Sequence, residues 1–109
     1  MTKTQVDHTF SALSDPTRRY IVELLADSDT MCVSELATKF NTTRQAVTKH
    51  LDILCGAGLV DTERQGRERI SRISRDAFEP IRDWLNHYDR FWNEKLGDLK
   101  ELIERREKS

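Results

Sequence analysis

Two short helical segments meet at a tight polar turn in the middle of the chain, and no other feature narrows the fold as much. Ser34 is placed to cap a helix from Glu35 to Phe40, with Leu36, Ala37 and Phe40 on its inward face. Asn41-Thr42 breaks that helix. Thr42 and Gln45 stand three apart, a capping-box spacing that opens a second helix. This second helix, Thr43 to Leu54, carries Val47, His50, Leu51 and Leu54 at i, i+3, i+4 and i+7. Gly56 and Gly58 close it, one of them in the left-handed conformation that glycine tolerates. The period then changes. Leu59 to Arg64 is strand-like, Gln65-Gly66 marks a turn, and Arg69 to Ile73 returns as a second strand. A hairpin directly after a helix-turn-helix is a wing, here spanning about 59–73.

Helices are expected on both sides of this unit. Asp15-Pro16 reads as an N-cap and first helical residue, and the helix that follows sets Ile21, Leu24 and Leu25 on one face. Val6, Phe10 and Leu13 suggest a shorter first helix, about 5–13. From about 76 to 107 the pattern is one long helix with Pro80 near its start. Its stripe runs through Ile81, Leu85, Tyr88, Trp92, Leu96, Leu99 and Ile103, mostly three or four apart. The expected fold is mainly α, a single domain over 1–109 in the order α-α-α-α-β-β-α. A chain of 109 residues buries a modest share of its surface, so pairing would help it. Phe10, Trp84, Tyr88, Trp92, Leu96 and Leu99 are the expected dimer interface. The cluster Trp84, Tyr88, Phe91 and Trp92 also suits a pocket for an apolar effector; interface is favoured because pockets are few per protein.

Net charge is −1, which alone argues against a nucleic-acid partner, but the charge is unevenly spread. Residues 42–75 hold seven Lys/Arg (Arg44, Lys49, Arg64, Arg67, Arg69, Arg72, Arg75) against four Asp/Glu, while the flanking thirds are each −2. A local basic face is the footprint to look for even on a near-neutral chain. Nothing approaches the ~20 apolar residues of a membrane span, and the polar stretch Met1 to Phe10 has no signal-peptide core. The expectation is a cytoplasmic protein whose Cys32 and Cys55 are buried thiols in a reducing compartment. No Ser–His–acid arrangement with a nucleophile elbow, Gly-rich phosphate loop or metal cluster points to an enzyme or a cofactor.

With Val47, Leu51 and Leu54 inward, Gln45, Thr48, Lys49 and Asp52 face outward and Arg44 lies on the near flank. Arg44 and Gln45 occupy the first turn, the part of a recognition helix that reaches base edges in the major groove. Arginine can pair with guanine O6/N7 and glutamine with adenine N6/N7. Thr48 and Lys49 suit bases or phosphates. Arg64, Arg67 and Arg69 surround the wing turn, where a hairpin tip reaches phosphates or the minor groove. His50, beside the apolar face, suits a phosphate or a backbone carbonyl equally well.

The stretches Phe10 to Leu25 (FSALSDPTRRYIVELL) and Thr43 to Val60 (TRQAVTKHLDILCGAGLV) resemble the ArsR/SmtB family of repressors. The wing Arg64 to Ile70 and Asp89-Arg-Phe-Trp92 are most similar to its SdpR-like branch, which usually lacks a recognised metal site. The resemblance covers residues 10 to about 100. It implies a winged-helix dimer held by its terminal helices. It also implies DNA contacts at Thr43, Arg44, Gln45, Thr48 and His50, and at wing Arg67 and Arg69. Arsenic-sensing members carry Cys-Val-Cys where this chain has Cys32-Val33-Ser34, so one thiolate remains where a soft-metal site needs two or three. Asp83 and His87 share a helix face, but the companion Asp-x-His of zinc sensors is absent, and no metal is expected. Two rival readings stay open: a winged helix that binds protein instead of DNA, and a repressor triggered through Cys32 or Cys55.

Overall fold

The computed structural model describes residues 3–108. Helix α1 is Lys3–Ala12, α2 is Pro16–Ser28, and a two-residue strand β1, Met31–Cys32, leads into α3, Val33–Phe40. Then come α4, Arg44–Gly56, the hairpin β2, Val60–Gln65, and β3, Glu68–Ile73, and the helices α5, Glu79–Asn86, and α6, Asp89–Lys108. This is a winged helix-turn-helix. The sheet has three antiparallel strands in the order β1-β3-β2, with Met31 opposite Ser71 and Val60 opposite Ile73.

Local chemistry accounts for most boundaries. Asp15 accepts the Arg18 backbone N–H at 3.1 Å and Pro16 opens α2. Carbonyls at the end of α1 are covered by the next helix: Arg18 Nε donates to the Ala12 carbonyl at 2.6 Å and Arg19 Nη1 to that of Leu13 at 2.7 Å. Asn41 stops α3 in the left-handed region at φ 51°, ψ 49°. Gly58, at φ 79°, turns the chain from α4 into β2, with the Leu59 N–H donating back to the Leu54 carbonyl at 3.0 Å.

The core lies where α2, α3, α4 and β2 meet. Ile21, Leu25, Leu36, Leu51, Leu54 and Leu59 are its largest buried side chains. Of the residues expected inside α2, Ile21 and Leu25 are buried and Leu24 is half-buried, while Val22 is an addition. The hairpin turns in two residues, Gly66 and Arg67, between the pair Gln65 and Glu68. Gly66 has φ 63°, the conformation that the first position of a type II′ turn reserves for glycine.

Five expectations are corrected. Strand β1 was not anticipated, so the wing sheet has three strands. Helix α3 begins at Val33 with Cys32 as its extended N-cap residue, not with Ser34, and the Cys32 N–H donates to Glu35 Oε1 at 3.3 Å. Thr43, not Thr42, caps α4, accepting the Ala46 N–H at 3.1 Å. The C-terminal helix is two helices, because His87 and Tyr88 form a turn with N–H groups donating three residues back, to Trp84 and Leu85. The first helix also starts and ends slightly earlier than 5–13.

Thr43→Ala is expected to destabilise the fold by about 1 kcal/mol, since one N-terminal donor of α4 loses its partner. Thermal melting checks it, and Thr43→Asp should recover most of the loss.

Helix α6 leaves the core. A compact chain of about 100 residues has a radius of gyration of ~13 Å; here it is 18.7 Å, with a longest extent of 64 Å. Every described side chain from Trp84 to Glu107 is exposed, including the large apolar ones. Exposed apolar surface of this length on one helix is unusual for a monomer.

Candidate nucleic-acid interface

Burial of Val47, Leu51 and Leu54 turns the opposite face of α4 to solvent. Arg44, Gln45, Thr48 and Lys49 together line one open concavity of about 600 Å³. Four residues singled out from the sequence therefore share one surface, at the N-terminal half of the helix. Partial positive charge at that helix end adds to Arg44 and Lys49.

The wing lies beside it and is tied to α4 at both ends of the helix. Arg44 Nη2 is 3.5 Å from Glu68 Oε1, and the same oxygen accepts the Ser34 hydroxyl at 2.9 Å. Arg69 Nη1 is 3.0 Å from Asp52 Oδ1, and its Nη2 lies 3.7 Å from Cys55 Sγ. Arg72 pairs with Glu63 across the hairpin at 3.0 Å. Arg64 and Arg67 are exposed and make no ion pair among the described residues, as is true of Lys49. The basic residues of the middle segment thus divide into two kinds. Arg44, Arg69 and Arg72 pair with carboxylates of the protein, while Lys49, Arg64, Arg67 and Arg75 present their charge outward.

His50 turns away from the concavity toward α2. Its Nδ1 is 3.9 Å from Asp15 Oδ2 and buried without a hydrogen bond among the described residues. Asp15 is held below the usual carboxylate range, first by the Arg18 backbone N–H and also by His50. Two carboxylates of the wing are held low as well. Glu68 is lowered mainly by the Ser34 hydroxyl, and Glu63 mainly by Gln65 and then Arg72. Glu68 was missed from sequence. Its partners lie on α3 and α4, and nothing in the string Arg67-Glu68-Arg69 announces them.

The two cysteines stand on different elements, Cys32 at the end of β1 and Cys55 in the last turn of α4. Burial pushes the Cys32 thiol up, which disfavours the reactive thiolate. Among the described residues no three His, Cys, Asp or Glu side chains converge as a metal centre requires. Of the expected interface residues, Phe10 and Trp84 meet within one chain, edge to face at 5.3 Å between centroids, and Tyr88 lies 5.0 Å beyond Trp84. Phe91 and Trp92 form a separate pair at 5.2 Å.

Comparison with known proteins fits this geometry. The model of the bacterial regulatory protein, arsR family, matches residues 15–62, from the cap of α2 into the wing. HTH-type transcriptional regulator Rv2034 of Mycobacterium tuberculosis is 37% identical over 98 residues, covering 90% of this chain and 88% of that one. The chain belongs to the ArsR family. Transcriptional repressor SdpR of Bacillus subtilis is 29% identical over 83 residues, covering 76% of the present ArsR-family chain and 91% of SdpR. The crystal structure of another ArsR family transcriptional regulator superposes with a TM-score of 0.76 at 32% identity, over 85% of this chain and 95% of that one. The solution structure of the homodimeric winged helix-turn-helix DNA-binding domain Mb0332 from Mycobacterium bovis gives 0.64 at 25% identity, over 76% of each chain. No helix of this ArsR-family chain is long and apolar enough, among the described residues, to cross a membrane.

Proposed function

We propose that this chain is a cytoplasmic transcriptional repressor that binds a near-palindromic operator as a homodimer, without enzymatic activity or a cofactor. The observation that carries the reading is the shared surface of α4 and the wing. Arg44, Gln45, Thr48 and Lys49 line one concavity, and the outward Arg64 and Arg67 stand on the adjoining hairpin. Arg44 and Gln45 read base edges, with Thr43 and Thr48 beside them. Lys49, Arg64 and Arg67 grip phosphates. The sequence also marks Arg69 and His50 as contacts. Their internal partners Asp52 and Asp15 favour a supporting role, fixing the wing and α4 in place. Two-fold pairing through α6 would set two recognition helices about one turn of DNA apart, ~34 Å or a multiple.

A mobility-shift titration against salt tests this. Affinity should fall steeply as salt rises, because each phosphate contact releases a counterion. Arg67→Ala should weaken all duplexes about equally and flatten the salt slope by roughly 1. Arg44→Ala should instead cost on the order of 1–3 kcal/mol and relax preference at one base pair. Equal behaviour of the two variants would defeat the division into clamp and reader, and salt-independent binding would defeat the interface itself.

A further inference from the structure

If Arg44 reads a base edge, Glu68 stands in an unexpected place. It is a carboxylate beside a surface meant for a polyanion, where its charge repels phosphate. It is nonetheless held from two sides. Ser34 Oγ of α3 donates to its Oε1 at 2.9 Å, and Arg44 Nη2 of α4 lies 3.5 Å from that same oxygen. Its Oε2 is shielded from solvent, and the Cys32 thiol and the Ser34 backbone N–H beside the carboxylate also help keep it ionised. One wing carboxylate therefore joins the first helix of the helix-turn-helix to the second.

We propose that Glu68 is a positioning residue: it sets the direction of the Arg44 guanidinium, so discrimination at the base pair Arg44 contacts depends on it. This rests on the DNA-reading role given to Arg44 above. The contact suits orientation rather than capture. It is made through one nitrogen, and the Arg44 side chain keeps 56% of its surface exposed. A guanidinium carries five donors in a rigid plane, so drawing one nitrogen toward Glu68 narrows the directions the group can take and leaves other donors for a two-pronged contact with guanine. A free arginine loses its rotamer freedom when DNA arrives. A tethered one has lost part of it beforehand, and the contact with the right base gains accordingly. The carboxylate is itself anchored by Ser34, so the Glu68 end of the contact is fixed in place. Its charge weakens binding to every duplex while it sharpens one position.

The experiment uses duplexes selected from a randomised library by the full-length protein, together with their single-base variants, titrated against four proteins. These are the wild type, Glu68→Gln, Arg44→Ala and the double variant. Glutamine keeps the side-chain length and can still accept from Ser34. Glu68→Gln should bind an unselected duplex at least as tightly as wild type. It should lose about tenfold in discrimination at the Arg44 position, within the range that one two-pronged base contact supplies, and nothing elsewhere. Added to Arg44→Ala, the same change should alter discrimination no further. Ser34→Ala, which frees the carboxylate without removing it, should give a smaller loss at the same position and guards against a folding defect in the glutamine variant. Wild-type or sharper discrimination in Glu68→Gln, with the base preference gone in Arg44→Ala, overturns the positioning role and leaves Arg44 as reader. Unchanged discrimination in Arg44→Ala at every position overturns the reader assignment, and this inference with it.

Discussion

Leu51→Ala is expected to lower the unfolding free energy by about 2–5 kcal/mol, the range for emptying a fully buried leucine site. Leu51 is 0% exposed on α4, the helix that packs against α2, α3 and β2 at once. A void there has packed elements on several sides, and helix ends and hairpin limit how far they can collapse into it. Ile53, two residues on, is 47% exposed, so Ile53→Ala removes contacts that are already half open to water. Thermal melting of the two variants should separate them clearly, with Leu51→Ala melting lower by on the order of 10 °C or more. Well below its melting point, Leu51→Ala should keep the base preference of the wild type, because Arg44 and Gln45 face the other way. Equal melting of both variants would mean that the α4 face is not organised as described.

This contrast also shows what the sequence could reveal. The inward face of α4 was legible because helical period alone places Val47, Leu51 and Leu54 together. The Asp15 cap and the Gly66 turn were legible because each needs only its own neighbours. Long-range pairing was not. Strand β1 is two residues long, too short to show alternation, and exists because Met31 and Cys32 lie against Ser71 and Ile70. Pulling Cys32 into that extended pairing is also what moves the start of α3 ahead of Ser34 and frees the Ser34 hydroxyl for Glu68. The break between α5 and α6 was hidden for a different reason. Apolar spacings of three and four continue across His87 and Tyr88, and neither glycine nor proline marks the turn. For the candidate site, the exposed residues of α4 were legible and their partners were not. Arg69 reads as one more wing charge until Asp52 is found beside it, and Glu68 reads as a stray acid until Arg44 and Ser34 are.

The largest functional effect is expected from α6, which makes few contacts with its own chain. Leu96 and Leu99 are 62% and 52% exposed, and Leu102 and Ile103 lie further along the same helix at 49% each. Burying one leucine against a partner contributes roughly 1.5–3 kcal/mol. In a two-fold interface each substitution acts twice. The double variant Leu96→Glu, Leu99→Glu therefore removes four leucines from one dimer and replaces them with four carboxylates. Sedimentation should show the wild type at twice the 12.8 kDa chain mass and the variant at the chain mass itself. Melting of the monomer should remain cooperative, because neither leucine reaches the core. Binding to a duplex with two half-sites should fall by about 100-fold or more, since linkage of two sites commonly multiplies affinity by that much. Binding to a single half-site should change far less. Trp84→Ala should behave differently: Trp84 packs on Phe10 of its own chain, so its loss loosens the seam between α1 and α5 before it touches pairing. A variant that remains dimeric with glutamates at 96 and 99 would remove α6 from the interface and require the two recognition helices to be spaced by another surface.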